Sequence, residues 1–414
     1  MIDFDKEVQC AQVSHTIIKV VGVGGAGGNT INSMISHEYD NVEFIAANTD
    51  SQALNASKAS LIIQLGSKST KGLGAGANPD LGKRAAEEDL DVVCEHIKDA
   101  DVVFLTGGLG GGTGSGALPV IAQALKERST LTIAIVTLPF NFEGARRMAV
   151  AQKALKTLEG AVDTLIVIPN QKLLDLHEKK LSLVNAFSLV NNIINQCVKS
   201  IADIIRRPGH INVDFADVKS ILKGKGFAVM GSGRASGDTK ALDALKQAVS
   251  SPLLSHKGIA GARGILLNIT GSSALDLSDI EVAASELHAQ AHPDANIIIG
   301  LVFDESLQND IAITIIATDF EQVQEKPEEK PIVTAPVTPV RENKITDIFF
   351  KHPVQEHVQE NLAQEKSQVE EASAPELSAQ AVQSAQPTQP SDDIEVPTIL
   401  RRMIQEKQAQ QKNN

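Results

Sequence analysis

The chain has no tryptophan and one tyrosine, and aromatic residues make up only 3% of its 414 positions. Platforms on which nucleic-acid bases could stack are therefore not expected. The net charge of −13 leaves no basic face to neutralise a phosphate backbone, which argues against a general nucleic-acid binder. The three cysteines, Cys10, Cys94 and Cys197, are odd in number and far apart. They offer neither a disulfide framework nor a zinc site and suit a reducing compartment. No apolar run approaches the roughly 20 residues of a membrane span. The opening residues, Met1-Ile-Asp-Phe-Asp-Lys-Glu7, lack an apolar signal core. A soluble, cytoplasmic protein without direct membrane insertion is expected.

Glycine, by contrast, is abundant and clustered. Gly107-Gly-Leu-Gly-Gly-Gly-Thr-Gly-Ser-Gly116 holds seven glycines in ten positions. The apolar run Val102–Leu105 precedes it and Ala117–Leu125 follows, so it reads as strand, glycine turn and helix. Bare backbone N–H groups at a helix N-terminus make an anion site suited to phosphate, and Thr113 adds a hydroxyl donor. A flexible linker would not sit between an apolar strand and an apolar helix, and a plain turn needs fewer glycines.

Other segments repeat the theme. Thr16–Val23 reads as a buried strand running into Gly24-Gly-Ala-Gly-Gly-Asn29 and a helix from about Thr30 to His37. Within it, Gly22-x-Gly24-x-x-Gly27 fits the dinucleotide fingerprint. Strand Val42–Ala47 ends in Asn48-Thr-Asp50, whose side chains could reach a ribose or cap a helix. Strand Leu61–Leu65 leads to a third glycine loop, Lys71-Gly-Leu-Gly-Ala-Gly-Ala-Asn-Pro79, and one helix from Asp80 to about Ile97. Strand Leu131–Leu138 ends in Pro139-Phe-Asn-Phe-Glu-Gly144, ahead of a helix with Arg146 and Arg147, and strand Thr164–Pro169 closes the series. Such alternation implies a mostly parallel sheet covered on both faces, with the three glycine loops on the edge where ligands bind.

Ser182–Arg207 reads as a long helix whose wide apolar stripe suits packing between two bodies. Pro208-Gly209 stops it. Asn212 can cap a helix beginning near Val213, placing Asp214 and Asp217 on one face of its first turn. Acids at a helix start often merely offset the dipole. Lys240–Val249, Gly264–Thr270, Leu277–Ala291, Asn296–Phe303 and Asp310–Ala317 compose a second α/β unit. Its last strands follow one another without a helix between, which suggests mixed or antiparallel pairing. Residues 321–390 hold eight of the sixteen prolines, ten glutamines and no glycine, a composition that cannot bury a core. Lys344–Phe350 is a short apolar exception. In Asp392–Ile404, Pro397 can start a short helix with Ile399, Leu400, Met403 and Ile404 on one face, the pattern of a tethered peptide ligand.

With Gly110-Gly-Gly-Thr-Gly-Ser-Gly116, the motifs at 24–29, 48–50, 72–79, 139–144 and 212–217 resemble the FtsZ family of bacterial tubulin-like cell-division GTPases. The resemblance covers about residues 16–320 and resumes at 392–404. It implies an α/β fold in which a tubulin-like, Rossmann-type parallel-sheet domain is joined by a long central helix to a smaller α/β domain with a mixed sheet, followed by a disordered tail. The implied divisions are an N-terminal extension (1–15), a GTP-binding domain (16–181), the central helix (182–207) and a C-terminal activation domain (208–320). A disordered linker (321–391) and an adaptor-binding peptide and tail (392–414) complete it.

Roles follow from the same resemblance. Gly25, Ala26, Gly27, Gly28 and Asn29 would contact phosphates and sugar, with Asn48 nearby. Ala75 and Gly76 would approach the γ-phosphate, and Gly112, Thr113 and Gly114 would hold the α- and β-phosphates. Glu143 and Arg147 would address the ribose and phosphate side, and Phe187 and Asn191 the guanine. Asn212, Asp214 and Asp217 would enter the next subunit's site and position the attacking water and Mg²⁺. The implied partners are further copies of the chain, in head-to-tail filaments that form a ring at midcell on the inner face of the membrane. FtsA-like and other membrane-tethering adaptors would bind through 392–404. Gln171 and Asn185 depart from the family pattern, which has acids there. Asn191-Asn192 stands where one member is often Asp, and a carboxylate would take both guanine N1–H and N2–H better. An NAD(P)-dependent oxidoreductase is the competing reading; it leaves two glycine loops and the tail unexplained. A GTP-binding scaffold without turnover leaves Asp214 and Asp217 without a purpose. A P-loop ATPase lacks G-x-x-x-x-G-K-[ST].

Overall fold

Strand β1 (Ile18–Val23) is buried at every position, which requires a sheet covered on both faces. The computed structural model describes residues 16–37, 39–175, 182–206, 213–251, 253–254, 258–273 and 275–320. The expectations for 1–15, Asn212, the linker and 392–414 lie outside the described residues.

From β1 the chain runs through α1 (Gly24–Ile35), β2 (Val42–Asn48), α2 (Ser51–Asn55), β3 (Leu61–Gln64) and α3 (Ser67–Thr70). Next come α4 (Pro79–Glu88), α5 (Leu90–Ile97), β4 (Val102–Gly108), α6 (Thr113–Lys126), β5 (Leu131–Leu138) and α7 (Ala145–Glu159). After β6 (Thr164–Pro169) and α8 (Asn170–Asp175) stands the 24-residue helix α9 (Leu183–Arg206). The remainder is α10 (Phe215–Leu222), β7 (Gly226–Ala235), α11 (Lys240–Val249), β8 (Ala262–Gly271), α12 (Leu277–Gln290), β9 (Asn296–Phe303) and β10 (Ile311–Phe320).

Strands β1 to β6 are parallel in the order β3-β2-β1-β4-β5-β6, as the alternation predicts. The second sheet is mixed: β10 is antiparallel to both β7 and β8, and β8 is parallel to β9. The consecutive strands β9 and β10 are therefore not neighbours, because β10 inserts between β7 and β8. Strand β7 joins the two sheets. Its first three residues, Gly226 to Ala228, pair with β6, and Val229–Ala235 pair with β10.

Alternate residues of the strands feed different cores. Ile18, Val20, Phe104, Ile133 and Ile135 face α9 in a core that continues through Val190, Ile194, Cys197 and Ile201 to Met230, Leu266 and Ile316 of the second sheet. Val21, Val23, Val103, Leu105 and Val136 face the opposite side, under α5, α6 and α7. A third core lies beneath α11 and α12. The central helix is thus apolar over a wide arc because both sheets pack on it.

Four boundaries differ from the sequence reading. Helices α1 and α6 begin inside their glycine runs, at Gly24 and Thr113, rather than after them. The stretch after Pro79 is two helices, broken at Asp89, whose Oδ2 accepts a hydrogen bond from Gly66 N at 2.6 Å. Helix α10 starts at Phe215 with Asp214 in the N-cap position, two residues later than expected. Strand β7, Gly-Phe-Ala-Val-Met-Gly-Ser-Gly-Arg-Ala, escapes a reading by pattern because glycine and serine dilute its apolar alternation. Its glycines make room for α11: a Cβ on Gly231 would lie 2.0 Å from Ala248 O, and one on Gly233 2.1 Å from Ala244 O.

Candidate functional site

A helix N-terminus exposes N–H groups with no partner of their own. Helices α1 and α6 both begin at the carboxyl ends of neighbouring strands, β1 and β4, and neither has a side-chain cap. Their first turns meet at one cavity of about 250 Å³. Gly24, Gly25 and Ala26 line it from α1, and Gly111, Gly112, Thr113 and Gly114 from the second turn. Two uncapped helix ends converging on one space form a site for an anion. The rest of the wall includes Thr137, Pro139, Glu143, Arg147, Asn170 and Phe187.

The glycines have two uses here. Gly110, at φ +104°, sits in the left-handed region that favours glycine. Others let backbones touch: a Cβ on Gly116 would lie 2.1 Å from Pro79 O, on Gly114 2.3 Å from Gly108 O, and on Gly112 2.8 Å from Ala75 Cβ. Most of the run at 107–116 is therefore a packing requirement between loops. Gly110 N donates to Ser115 Oγ at 2.8 Å and Leu109 N to Thr137 O at 2.9 Å, which fixes the loop's shape.

One wall of the cavity carries the aromatic ring of Phe187, with two further rings behind it. Phe187, 43% exposed, meets buried Phe140 edge-on at 5.3 Å, and Phe140 stacks on Phe142 at 5.1 Å. Arg147 and Glu143 pair at 2.5 Å, and the second Glu143 oxygen accepts from Phe140 N at 2.9 Å. Asn170 is a residue that sequence reasoning missed. It is buried, lines the cavity, and its Oδ1 has no hydrogen-bond partner among the described residues. Its position directly after the strand ending in Pro169 was the available signal.

Not all expected residues share this cavity. Gly28, Asn29 and Asn48 line a neighbouring cavity of about 190 Å³ on the other side of α1. Asn48 Oδ1 accepts from Thr49 N and Asp50 N, and Asp50 caps α2, the structural alternative to a ribose contact. Gly27 is pressed between β1 and β4, where a Cβ would lie 2.7 Å from Thr106 O. Ala75 packs behind Gly112, and Gly76 is exposed on the third loop. Asn191 sits one turn beyond Phe187 and accepts from Thr30 Oγ1 at 3.1 Å. Asp214 and Asp217 are exposed at the start of α10, beyond the far end of α9. A larger groove of about 760 Å³ lies between α4, α6 and α7, but its lining is mostly helix sides such as Val120, Ala124 and Val150.

Fold and site together define a nucleotide-phosphate-binding α/β protein with a parallel and a mixed sheet packed on one long helix. Residues 17–178 match the model of the Tubulin/FtsZ family GTPase domain, and 226–321 that of the FtsZ family C-terminal domain. An FtsZ structure from M. jannaschii, described as an empty dimer, is 40% identical with a TM-score of 0.71, covering 74% of this chain and 89% of its own. CetZ1 from Haloferax volcanii, a GDP-bound monomer, shares the fold at 24% identity and a TM-score of 0.64, over 75% of this chain and 96% of its own. The chain belongs to the Tubulin/FtsZ family, with an FtsZ-type C-terminal domain. It is a GTP-binding cytoskeletal cell-division protein and a GTPase. Among the described residues, no helix is long and apolar enough to cross a membrane.

Proposed function

We propose that GTP lies in the 250 Å³ crevice and is hydrolysed only when a second copy supplies Asp214 and Asp217, so that turnover is tied to head-to-tail assembly. One observation carries this reading. Phe187 is near the start of α9, Asp214 follows its end, and a helix of 24 residues is about 36 Å long. Within one chain the acids cannot reach the crevice. Among the described residues that line the crevice, Glu143, already paired with Arg147, is the one carboxylate. A head-to-tail contact that does not close gives filaments. Leu73 (85% exposed), Phe142 (64%), Leu183 and Val184 are uncovered apolar side chains on the loops and helix end around the crevice, suited to a covering copy. The M. jannaschii relative, described as a dimer, supports self-association.

Thr113 and the two helix ends would take the phosphates, and Phe187, Asn170 and Asn191 the base. The other residues carried over from the family (Gly25 to Asn29, Asn48, Ala75, Gly76, Arg147) would complete the pocket. Mg²⁺ suits this arrangement. No group of three ligating side chains occurs among the described residues, and Mg²⁺ is commonly held by phosphates, water and one or two carboxylates, here Asp214 and Asp217. When bound it neutralises phosphate charge; the carboxylates would orient the attacking water. The filaments would build the division ring at the inner face of the membrane, held there by adaptors on 392–404. The domain divisions drawn from the sequence remain part of this proposal.

The test is a mixing experiment. Asp214→Ala should bind GTP but turn it over slowly, and Thr113→Val should bind it poorly while keeping its acids. Mixed, the Asp214→Ala pocket receives acids from the other variant, and turnover should exceed the sum of the two alone. A merely additive rate would end the trans-site reading.

A further inference from the structure

We infer that Thr49, which the family resemblance gives no role of its own, positions the Thr113 hydroxyl for phosphate through a hydroxyl-to-hydroxyl hydrogen bond. The inference rests on the reading above that Thr113 faces a phosphate. Thr49 follows β2 and is wholly buried. Its Oγ1 lies 2.6 Å from Thr113 Oγ1 and has no other hydrogen-bond partner among the described residues. Thr113 is partly exposed on the crevice wall, so the pair runs from the interior to the site. On the other side of Thr113 is Gly24, where a Cβ would come within 3.3 Å of the Thr113 Cβ.

The chemistry of the pair sets its direction. Each hydroxyl has one hydrogen and can also accept. A phosphate oxygen only accepts. With phosphate in the crevice, Thr113 must turn its hydrogen outward, and Thr49 must then donate to Thr113. Chained hydroxyls polarise one another, so the outer donor is strengthened as well as aimed.

The backbone of Thr49 is held as firmly as its side chain. Its N–H donates to Asn48 Oδ1 at 2.8 Å, and its carbonyl accepts from Gly74 N at 3.1 Å and Thr70 Oγ1 at 3.3 Å. The donor therefore stands on a rigid base shared by β2 and the third glycine loop. Thr49 touches no ligand in this scheme; it is a positioning residue.

A double-mutant cycle tests it, reading GDP affinity for the full chain and using guanosine as the phosphate-free competitor. Thr49→Val should weaken GDP about fivefold, the loss expected for one hydrogen bond. Thr49→Ser should restore affinity to within about twofold, since it keeps the donor. Thr113→Val should weaken GDP at least as much as Thr49→Val, and adding Thr49→Val to it should cost nothing more. Guanosine competition should not change with Thr49→Val. A Thr49→Val loss that persists undiminished in the Thr113→Val background, or that appears equally with guanosine, would overturn the inference, as would wild-type GDP affinity in Thr49→Val. Wild-type affinity in Thr113→Val would instead overturn the phosphate reading of the site. Should Thr49→Val fail to fold, Thr49→Ala set against Thr49→Ser reads the same cycle.

Discussion

A buried acceptor without a donor costs roughly 1–3 kcal/mol, and among the described residues nothing donates to Asn170 Oδ1 at the crevice wall. A guanine N–H would satisfy it. Asn170→Ala should therefore weaken GDP binding about tenfold while leaving the nucleotide-free protein no less stable. Isothermal titration and urea unfolding measure the two effects, and unchanged GDP affinity would remove Asn170 from the site. Elsewhere burial alone acts. It pushes the Cys197 thiol up to about 12 from an ordinary 9.0. Between those values the unfolded thiol ionises while the folded one does not, so the unfolded state binds fewer protons and stability falls as pH rises. Cys197→Ala should lose that part of the alkaline slope in urea midpoints. Tyr39, the only tyrosine, is likewise raised by burial and by the charge of Asp203. With no tryptophan to mask it, its ultraviolet ionisation should appear only when the alkaline protein unfolds.

Among the elements, contact between backbones decides which glycines matter. On α6, Gly116 lies so close to α4 that an added Cβ would be 2.1 Å from Pro79 O and 2.5 Å from Lys83 N. Backbone cannot swing aside as a side chain can, so Gly116→Ala should destabilise by about 2 kcal/mol or more. Gly160→Ala, whose Cβ would meet nothing within 4 Å, should be close to neutral, and urea unfolding compares them. Gly233→Ala should behave like Gly116→Ala, because β7 could no longer approach α11. These contacts also explain which elements were legible beforehand. β1, β4 and β5 are mostly apolar and almost wholly buried, and their patterns predict them directly. The pattern of β7 is broken by glycines whose purpose exists only once α11 is in place.

For the whole molecule, the decisive feature is distance along α9. It separates the crevice at Phe187 from the acids that follow its far end. If hydrolysis needs two copies, the rate per molecule should rise with protein concentration and then level off; a flat dependence would mark a self-contained site. Deleting 392–414 should leave GTP turnover unchanged and abolish recruitment by membrane adaptors. Continued recruitment would shift the attachment into 321–391.

By itself the sequence determined β1 to β6 and most of the longer helices, the parallel first sheet, and the glycine signature of a phosphate cradle. These depend on local pattern, which is carried by neighbouring residues. Tertiary structure decided what depends on residues far apart in the chain. It inserted β10 between β7 and β8 and made β7 common to both sheets. It placed Asn170 in the crevice and Asn48 beside a different cavity. It also brought Thr49 against Thr113, 64 positions away. A side chain's pattern says whether it is buried; only the packed chain says against what.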